Sequence, residues 1–323
     1  MSDHNGIVSA ALVGCASYEK KVLRDCLIRE FELLGGVEKY VCRGESVLLK
    51  PNLIAPKPAN CAVQTDGRVI VEVARLLKDV GARPFVADSP AWSSSSHCID
   101  MLGISEELDF LGVPVRELNR PVKRSIEPSG EKVYVSRVAL DADKIINLPK
   151  LKAHQQMTVT IAIKNMFGCV CGKRKALWHY RRGGSHERFS QLLIGIYRLM
   201  SPVLTILDAV VSMEGMGPIR GNPRHTGFLL GSSDGVACER ICCGLIGLEP
   251  GDIPILRTAE QMGYGVFDID KIELLGDDPS GFVFSDFQIP KQIPLKFTLP
   301  RICKSISRQV LILAKSKFSG REG

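Results

Sequence analysis

The sequence predicts an α/β fold: a mostly parallel sheet built from βαβ units, with a ligand cleft at the carboxyl ends of its strands. Two observations lead there. Short apolar runs of strand length alternate with segments whose apolar residues recur at helical spacing, the pattern of βαβ units. Four of the predicted strands also run out into polar residues, at Lys50/Asn52, Asp88/Ser89, Lys150/Lys152/His154 and Asp208. Open α/β sheets bind their ligands at such strand ends.

Residues 7–15 (IVSAALVGC) read as the first strand. A helix follows from Tyr18 to Leu34, with Val22, Leu23, Cys26, Leu27 and Phe31 at helical spacing and Gly35-Gly36 closing it. Ser46 to Leu49 is the second strand and ends in Lys50-Pro51-Asn52. Thr65-Asp66 opens the next helix, whose stripe is Ile70, Val73, Ala74 and Leu77, and Gly81 suits the left-handed position after it. Arg83 to Ala87 is a strand ending in Asp88-Ser89-Pro90, and Ser93 to Ser96 is a loop or cap. A helix to Leu111, a strand at Val113 to Leu118 and a hairpin around Pro128-Ser129-Gly130 complete this half.

The stretch from Lys144 to Gly168 organises the rest. Ile145-Ile146-Asn147-Leu148 has the length and composition of a buried strand, and Pro149, lacking an N–H, ends it. If the next residues are extended, Lys150, Lys152 and His154 alternate with Leu151 and Ala153 and share one face. Lys164-Asn165 then interrupts an apolar run. Three lysines, an imidazole and a carboxamide this close together make an anion-binding constellation, with a solvated basic loop as the plainer reading.

Cys169 to Ser185 is polar, glycine-containing and basic, and is expected to be a mobile loop carrying Trp178 and His179 that closes as a lid. Helix 186–200 follows, then a strand from Val203 to Leu207 ending in Asp208. The loop from Ser212 through Glu214, Gly215 and Gly217 to Pro218 allows close backbone approach to a ligand. Thr226 to Leu230 is a strand, Asp234 starts a helix, another helix lies near 254–262, and Lys271 to Leu275 is the last strand. The expected layout is an α/β domain over 1–277, with a candidate split into two lobes near 120–140, and a basic C-terminal extension over 278–323.

Bulk composition narrows the function. In 323 residues the net charge is +7 and aromatics are 6%. Lys and Arg are spread along the chain without a basic arm or a stacking platform, which argues against nucleic acid and for small anions or membrane surfaces. Eleven cysteines without framework spacing read as reduced thiols. The N-terminus MSDHNG lacks signal-peptide regions, and no apolar stretch approaches the ~20 residues of a membrane span. A cytoplasmic protein is expected.

Taken together, VLLKPNLIAP, TDGRVIVEVARLLKDVGA, VADSP, ADKIINLPKLKAH, IAIKNMFG, LTILDAVVSMEGMGP and DGVACERICCGLIGLEP, in that order, resemble the domain of unknown function 362 family over roughly residues 7–277. The resemblance implies no general activity. Many family members are fused to a ferredoxin-like module with paired C-x-x-C-x-x-C-x-x-x-C runs, which gives the family an iron–sulfur association. This chain has no such run, and residues 278–323 hold one cysteine, Cys303, so an intrinsic pair of 4Fe-4S clusters is not expected. Glu239 stands where the family's helix motif would have an aspartate.

The expected function is that of an enzyme taking a small carboxylate or phosphate substrate, with redox or isomerase chemistry suggested by the family. Lys152, His154 and Lys164 are the catalytic candidates. Lys50, Asn52, Lys150, Asn165, Asp88, Asp208, Glu214, Gly215 and Gly217 are the substrate-binding candidates, with ion-pair networks and helix or loop capping as the plainer alternatives. Asp88 and Asp208 could share a divalent metal. Cys169, Cys171 and His179 form a weaker metal set, off the usual zinc spacing.

Two other readings stand beside the enzyme. One is a non-catalytic redox scaffold docking a separate ferredoxin. The other is a membrane-peripheral accessory protein using residues 300–317. There Ile302, Ile306, Val310 and Leu313 would form the stripe of a basic amphipathic helix, which could lie on an anionic membrane, dock on a partner, or pack on its own domain.

Overall fold

The computed structural model describes residues 6–91, 93–172 and 174–296. β1 (Val8–Gly14) leads into α1 (Lys20–Leu33), β2 (Ser46–Pro51) into α2 (Gly67–Asp79), and β3 (Arg83–Asp88) into α3 (Ser95–Leu102) and α4 (Ser105–Phe110). After β4 (Val115–Glu117) come the hairpin of β5 (Pro121–Ile126) and β6 (Glu131–Ser136) and a short α5 (Arg137–Leu140). Next follow β7 (Lys144–Leu148), β8 (Lys150–His154), β9 (Thr158–Thr160), α6 (Ala162–Asn165), α7 (Arg174–Arg182) and α8 (His186–Met200). β10 (Leu204–Glu214), β11 (Asn222–Ser232), α9 (Gly235–Leu245), α10 (Pro254–Gln261) and β12 (Ile272–Gly276) close the described chain.

The main sheet runs β12-β1-β11-β10-β7-β2-β3-β4, with β8 attached to β10 and β9 to β8. Its pairings are parallel except β1–β11, β10–β11 and β8–β9. The two-residue period of the strands sorts side chains onto two faces. Leu48, Ile145 and Leu207 join the layer under α8, α9 and α10, while Leu49, Ile146 and Ile206 join the layer under α1 and α2. Both faces are buried, which is why these strands read as continuous apolar runs rather than alternating ones.

Local chemistry sets the helix boundaries. Asp66 caps α2 by accepting from the Arg68 N–H, Ser94 caps α3, Ser185 caps α8 and Asp234 caps α9. Gly81, at φ +78°, takes the left-handed turn after α2.

Several expectations are corrected. Residues 169–185 are not a loop, because Arg174–Arg182 forms α7. Its basic residues hid an amphipathic pattern whose apolar side inserts the buried Trp178. That leaves no loop to serve as a lid there. The helix expected up to Leu111 is two helices, α3 and α4, broken at Gly103 with φ +71°. β10 does not end at Asp208 but continues to Glu214 alongside β11 through an irregularity between Ala209 and Val211. No helix among the described residues is long and apolar enough to cross a membrane. Residues 300–317 lie outside the described residues.

One core group is mismatched to its surroundings. Glu30 in α1 is fully buried against Gly231, and neither carboxyl oxygen has a hydrogen-bond partner among the described residues. Burial pushes its pKa well above the usual carboxylate range. A raised folded pKa means the stability of this group is intact below the unfolded value and falls as pH rises toward the folded one. Glu30→Met should therefore stabilise the protein by about 1–3 kcal/mol near pH 8 and by much less near pH 4, read from urea unfolding midpoints. Equal effects at both pH values would show that the carboxyl has a partner.

Candidate functional site

The site grows from a break in one strand. β10 pairs with Ile146 and Asn147 of β7, then passes to β8, where Asp208 lies opposite Lys150 and Met213 opposite Lys152. Pro149 makes the break, as the sequence predicts. It lets the chain continue past the end of β7 as β8, with side chains at Lys150, Lys152 and His154 all buried.

Two of the lysines have carboxylates of their own. Lys150 Nζ lies 2.8 Å from Asp208 Oδ2 and donates to Tyr18 Oη at 2.7 Å. Asp208 also accepts from the Tyr18 hydroxyl at 2.6 Å and the Asp66 N–H at 2.9 Å. Lys50 Nζ lies 2.8 Å from Asp88 Oδ1 and donates to the Pro51 carbonyl. Asp88 accepts in turn from the N–H groups of Leu53 and Ser89, both at 2.7 Å. Gly168 closes over this pair, since a Cβ there would stand 2.7 Å from Lys50 Nζ and closer still to Asp88 Oδ1. Asp88 and Asp208 are thus each committed to a separate lysine rather than to one metal.

Lys152 is different. It is 1% exposed, and its Nζ meets Asn52 Oδ1 at 2.5 Å and the Val63 carbonyl at 2.6 Å, both neutral. Among the described residues it has no salt-bridge partner. Burial, then the charges of Lys164 and Lys150, hold its pKa well below the ordinary lysine value. A run of carboxamides extends from it. Asn52 Nδ2 donates to Asn165 Oδ1, Asn165 Nδ2 to Asn147 Oδ1 and the Lys50 carbonyl, and Asn147 Nδ2 to Thr205 Oγ1 and the Ala162 carbonyl.

His154, on the same strand, is also held well below its usual pKa by burial and by Lys164 and Lys152. Its Nδ1 accepts from the Gln156 N–H at 3.0 Å, so the neutral ring carries its proton on Nε2. Lys164, half-buried in α6, is pushed down to about 8 by burial, against the opposing pull of Glu239. Burial pushes Glu239 up to about 8, and its Oε1 accepts from the Ile163 N–H at 2.7 Å. Lys175 donates to the Ser89 carbonyl, and burial pushes it down to about 8.

The remaining candidates lie elsewhere or do other work. Glu214 pairs with Arg224 at 2.9 Å and accepts from the Gln288 N–H, while the Gly215 N–H donates to the Gln288 carbonyl at 2.7 Å. Gly217 packs on the Ala153 carbonyl, where a Cβ would not fit. These residues hold the C-terminal extension and the β8 turn, not the lysines. Cys169 and Cys171 are buried thiols, Cys169 pushed up to about 12, and the His179 ring lies 4.6 Å from that of Phe189. No group of three or more His, Cys, Asp or Glu among the described residues is placed to hold a metal.

The extension also reaches the site. Gln292 Nε2 donates to the His154 carbonyl, the Ile293 N–H to the Gln155 carbonyl, and Gln156 Nε2 to the carbonyls of Pro294 and Leu295. Residues 292–295 thereby clamp the turn between β8 and β9. A recess of about 300 Å³, lined by residues such as Leu140, Lys144, Met200 and Val203, lies at the opposite, amino end of β7. It is too far along the strand to belong to the lysine cluster.

Sequence reasoning missed Tyr18, Asn147 and Lys175. Asn147 left a signal, as a carboxamide inside an otherwise apolar strand. Tyr18 and Lys175 left none, because only the fold brings them to the cluster.

The sequence profile of a family described as a domain of unknown function (DUF362) matches residues 47–244. The chain belongs to the DUF362 family. This DUF362 chain is also 34% identical over 307 residues to the thylakoid-associated protein sll1697 of Synechocystis sp., covering 95% of each chain. Two solved structures resemble it at 11% identity: the lactate racemase apoprotein of Thermoanaerobacterium thermosaccharolyticum, with a TM-score of 0.45, and a protein of Thermotoga maritima, with 0.46. The alignments cover 75% and 72% of this chain, which spans 58% and 60% of those two.

Removing one partner of a buried ion pair strands the other charge. Lys150→Met and Asp208→Leu should each cost about 3–5 kcal/mol in urea unfolding, and the double change Lys150→Met with Asp208→Leu less than the sum of the two. Additive losses would mean the pair is not coupled.

Proposed function

We propose that this protein is an enzyme that binds a small carboxylate or phosphate at the carboxyl ends of β2, β3 and β7, beside β8. Lys152 and Lys164 handle its charge and protons, and His154 presents an Nε2–H donor to it. One observation carries the reading: Lys152 is buried and, among the described residues, has no ion-pair partner of its own, Asp88 acting on it only from its place beside Lys50. Asp88 answers Lys50, Asp208 answers Lys150, and Glu239 is the carboxyl that opposes the lowering of Lys164. Lys152 and the neutral His154 have no such counterpart, and an incoming anion would supply it. In its neutral form Lys152 can take a proton beside a carboxylate, while the His154 Nε2–H and Lys164 stabilise the negative charge that develops. That is isomerase chemistry; a redox step would need a cofactor or partner, for which the family context is the only support.

Phosphate or citrate should raise the melting temperature. A ligand that binds only the folded state at a hundredfold excess over Kd adds about 2.7 kcal/mol. The anion favours the charged form of Lys152, whose pKa burial lowers, so the effect should be larger at pH 6.5 than at pH 9. Lys152→Met should remove it. A melting temperature indifferent to every anion at both pH values would rule the site out.

A second reading concerns location. We propose peripheral membrane contact through residues 300–317. Support comes from the basic, acid-free sequence there and from the name of the Synechocystis relative, which describes that protein as thylakoid-associated. Full-length protein should float with anionic liposomes at low salt and lose this when 300–317 is deleted. Flotation that survives the deletion would place the contact elsewhere.

A further inference from the structure

Three lysines at these strand ends are equally buried but differently partnered. Lys50 and Lys150 each face a carboxylate oxygen at 2.8 Å. Lys152 faces one carboxamide oxygen and one backbone carbonyl, and no charge. An ammonium has three N–H donors and no lone pair, whereas a neutral amine has two donors and one lone pair. The two neutral acceptors at Asn52 and Val63 match the second inventory. The lone pair that remains makes Lys152 a nucleophile. Desolvation and neighbouring cations are the surroundings that give lysines this property.

We propose that Lys152 forms an imine with the carbonyl carbon of a 2-oxo acid. This deepens the anion-site reading on which it rests: the carboxylate of such a substrate is the anion that Lys164 holds, which leaves Lys152 its lone pair for the carbonyl carbon. The step balances within the chain and the substrate. The Nζ lone pair forms a C–N bond to C2, and the carbonyl π pair moves to oxygen, which is protonated to give a carbinolamine. The hydroxyl takes a second proton and leaves as water, while Nζ gives up its two hydrogens. The products are the imine and one water, with nothing oxidised or reduced. The two hydrogens that leave Nζ are the two that the departing oxygen takes up, and His154, on the same face of β8, can hydrogen-bond that oxygen through its Nε2–H without losing the proton. The imine then serves as an electron sink for proton loss from the adjacent carbon, in line with the isomerase chemistry above.

The test uses the full chain at pH 7.5 with pyruvate and cyanoborohydride, which reduces the iminium to a stable carboxyethyl-lysine located by peptide mass mapping. An ordinary exposed lysine is only about 0.1% neutral at this pH. Lys152 should therefore be labelled roughly tenfold or more above exposed Lys57, and excess phosphate should suppress Lys152 alone. Lys152→Met should lose that adduct and keep the surface labelling; if it fails to fold, the map of the unaltered chain decides alone. Label confined to exposed lysines overturns the proposal. A phosphate-induced rise in melting temperature in the same sample separates the outcomes. A thermal shift with no Lys152 adduct removes the imine and leaves the anion site, and neither signal removes both.

Discussion

Burying a lysine is what this structure depends on. Moving an ammonium into a medium of low dielectric costs of order 20 kcal/mol in the ideal limit and several kcal/mol after relaxation. The chain meets that cost three times at one end of its sheet. At Lys50 and Lys150 it supplies carboxylates, which in turn accept N–H groups from Leu53, Ser89 and Asp66. Those bonds tie the ends of β2 and β3 and the start of α2 to one polar centre. At Lys152 there is no paired carboxylate among the described residues; burial holds its pKa well below the ordinary lysine value, and the Asn52–Asn165–Asn147 run gives it a polar but uncharged lining.

The break at Pro149 makes this arrangement possible. A β7 that simply continued would keep its place between β10 and β2. The chain instead resumes as β8 against β10, and β9 folds back on it, so that three side chains that a lone strand would leave half-exposed are enclosed. Gly168 against the Lys50–Asp88 pair and Gly217 against the Ala153 carbonyl mark how tightly the chain closes here, because neither place has room for a Cβ.

Much of this was legible in the sequence. Apolar runs and caps placed the main strands and helices, since Asp66, Ser94 and Asp234 bond their own helix starts and need no tertiary contact. Alternation about Leu151 and Ala153 put the three basic residues on one face. What stayed hidden is long-range. Whether a lysine has a carboxylate or a carboxamide opposite it depends on which strand end lies beside it, so Lys50, Lys150 and Lys152 look alike in sequence. Basic composition hid α7, whose apolar side holds few residues. Asp208 read as a strand end because the apolar run from Val203 to Leu207 stops there, although its own strand runs on. Glu214 read as a ligand-binding residue until its partners, Arg224 and the backbone of Gln288, came within reach.

The charge state of Lys152 is the central claim, and lysine side-chain NMR measures it directly. With ¹³Cε-labelled lysine, and the Lys152 resonance assigned by its loss in Lys152→Arg, that carbon should titrate well below the ordinary lysine range in the anion-free protein. It should move back up when phosphate is added. Titration in the ordinary range, unchanged by phosphate, would contradict the account.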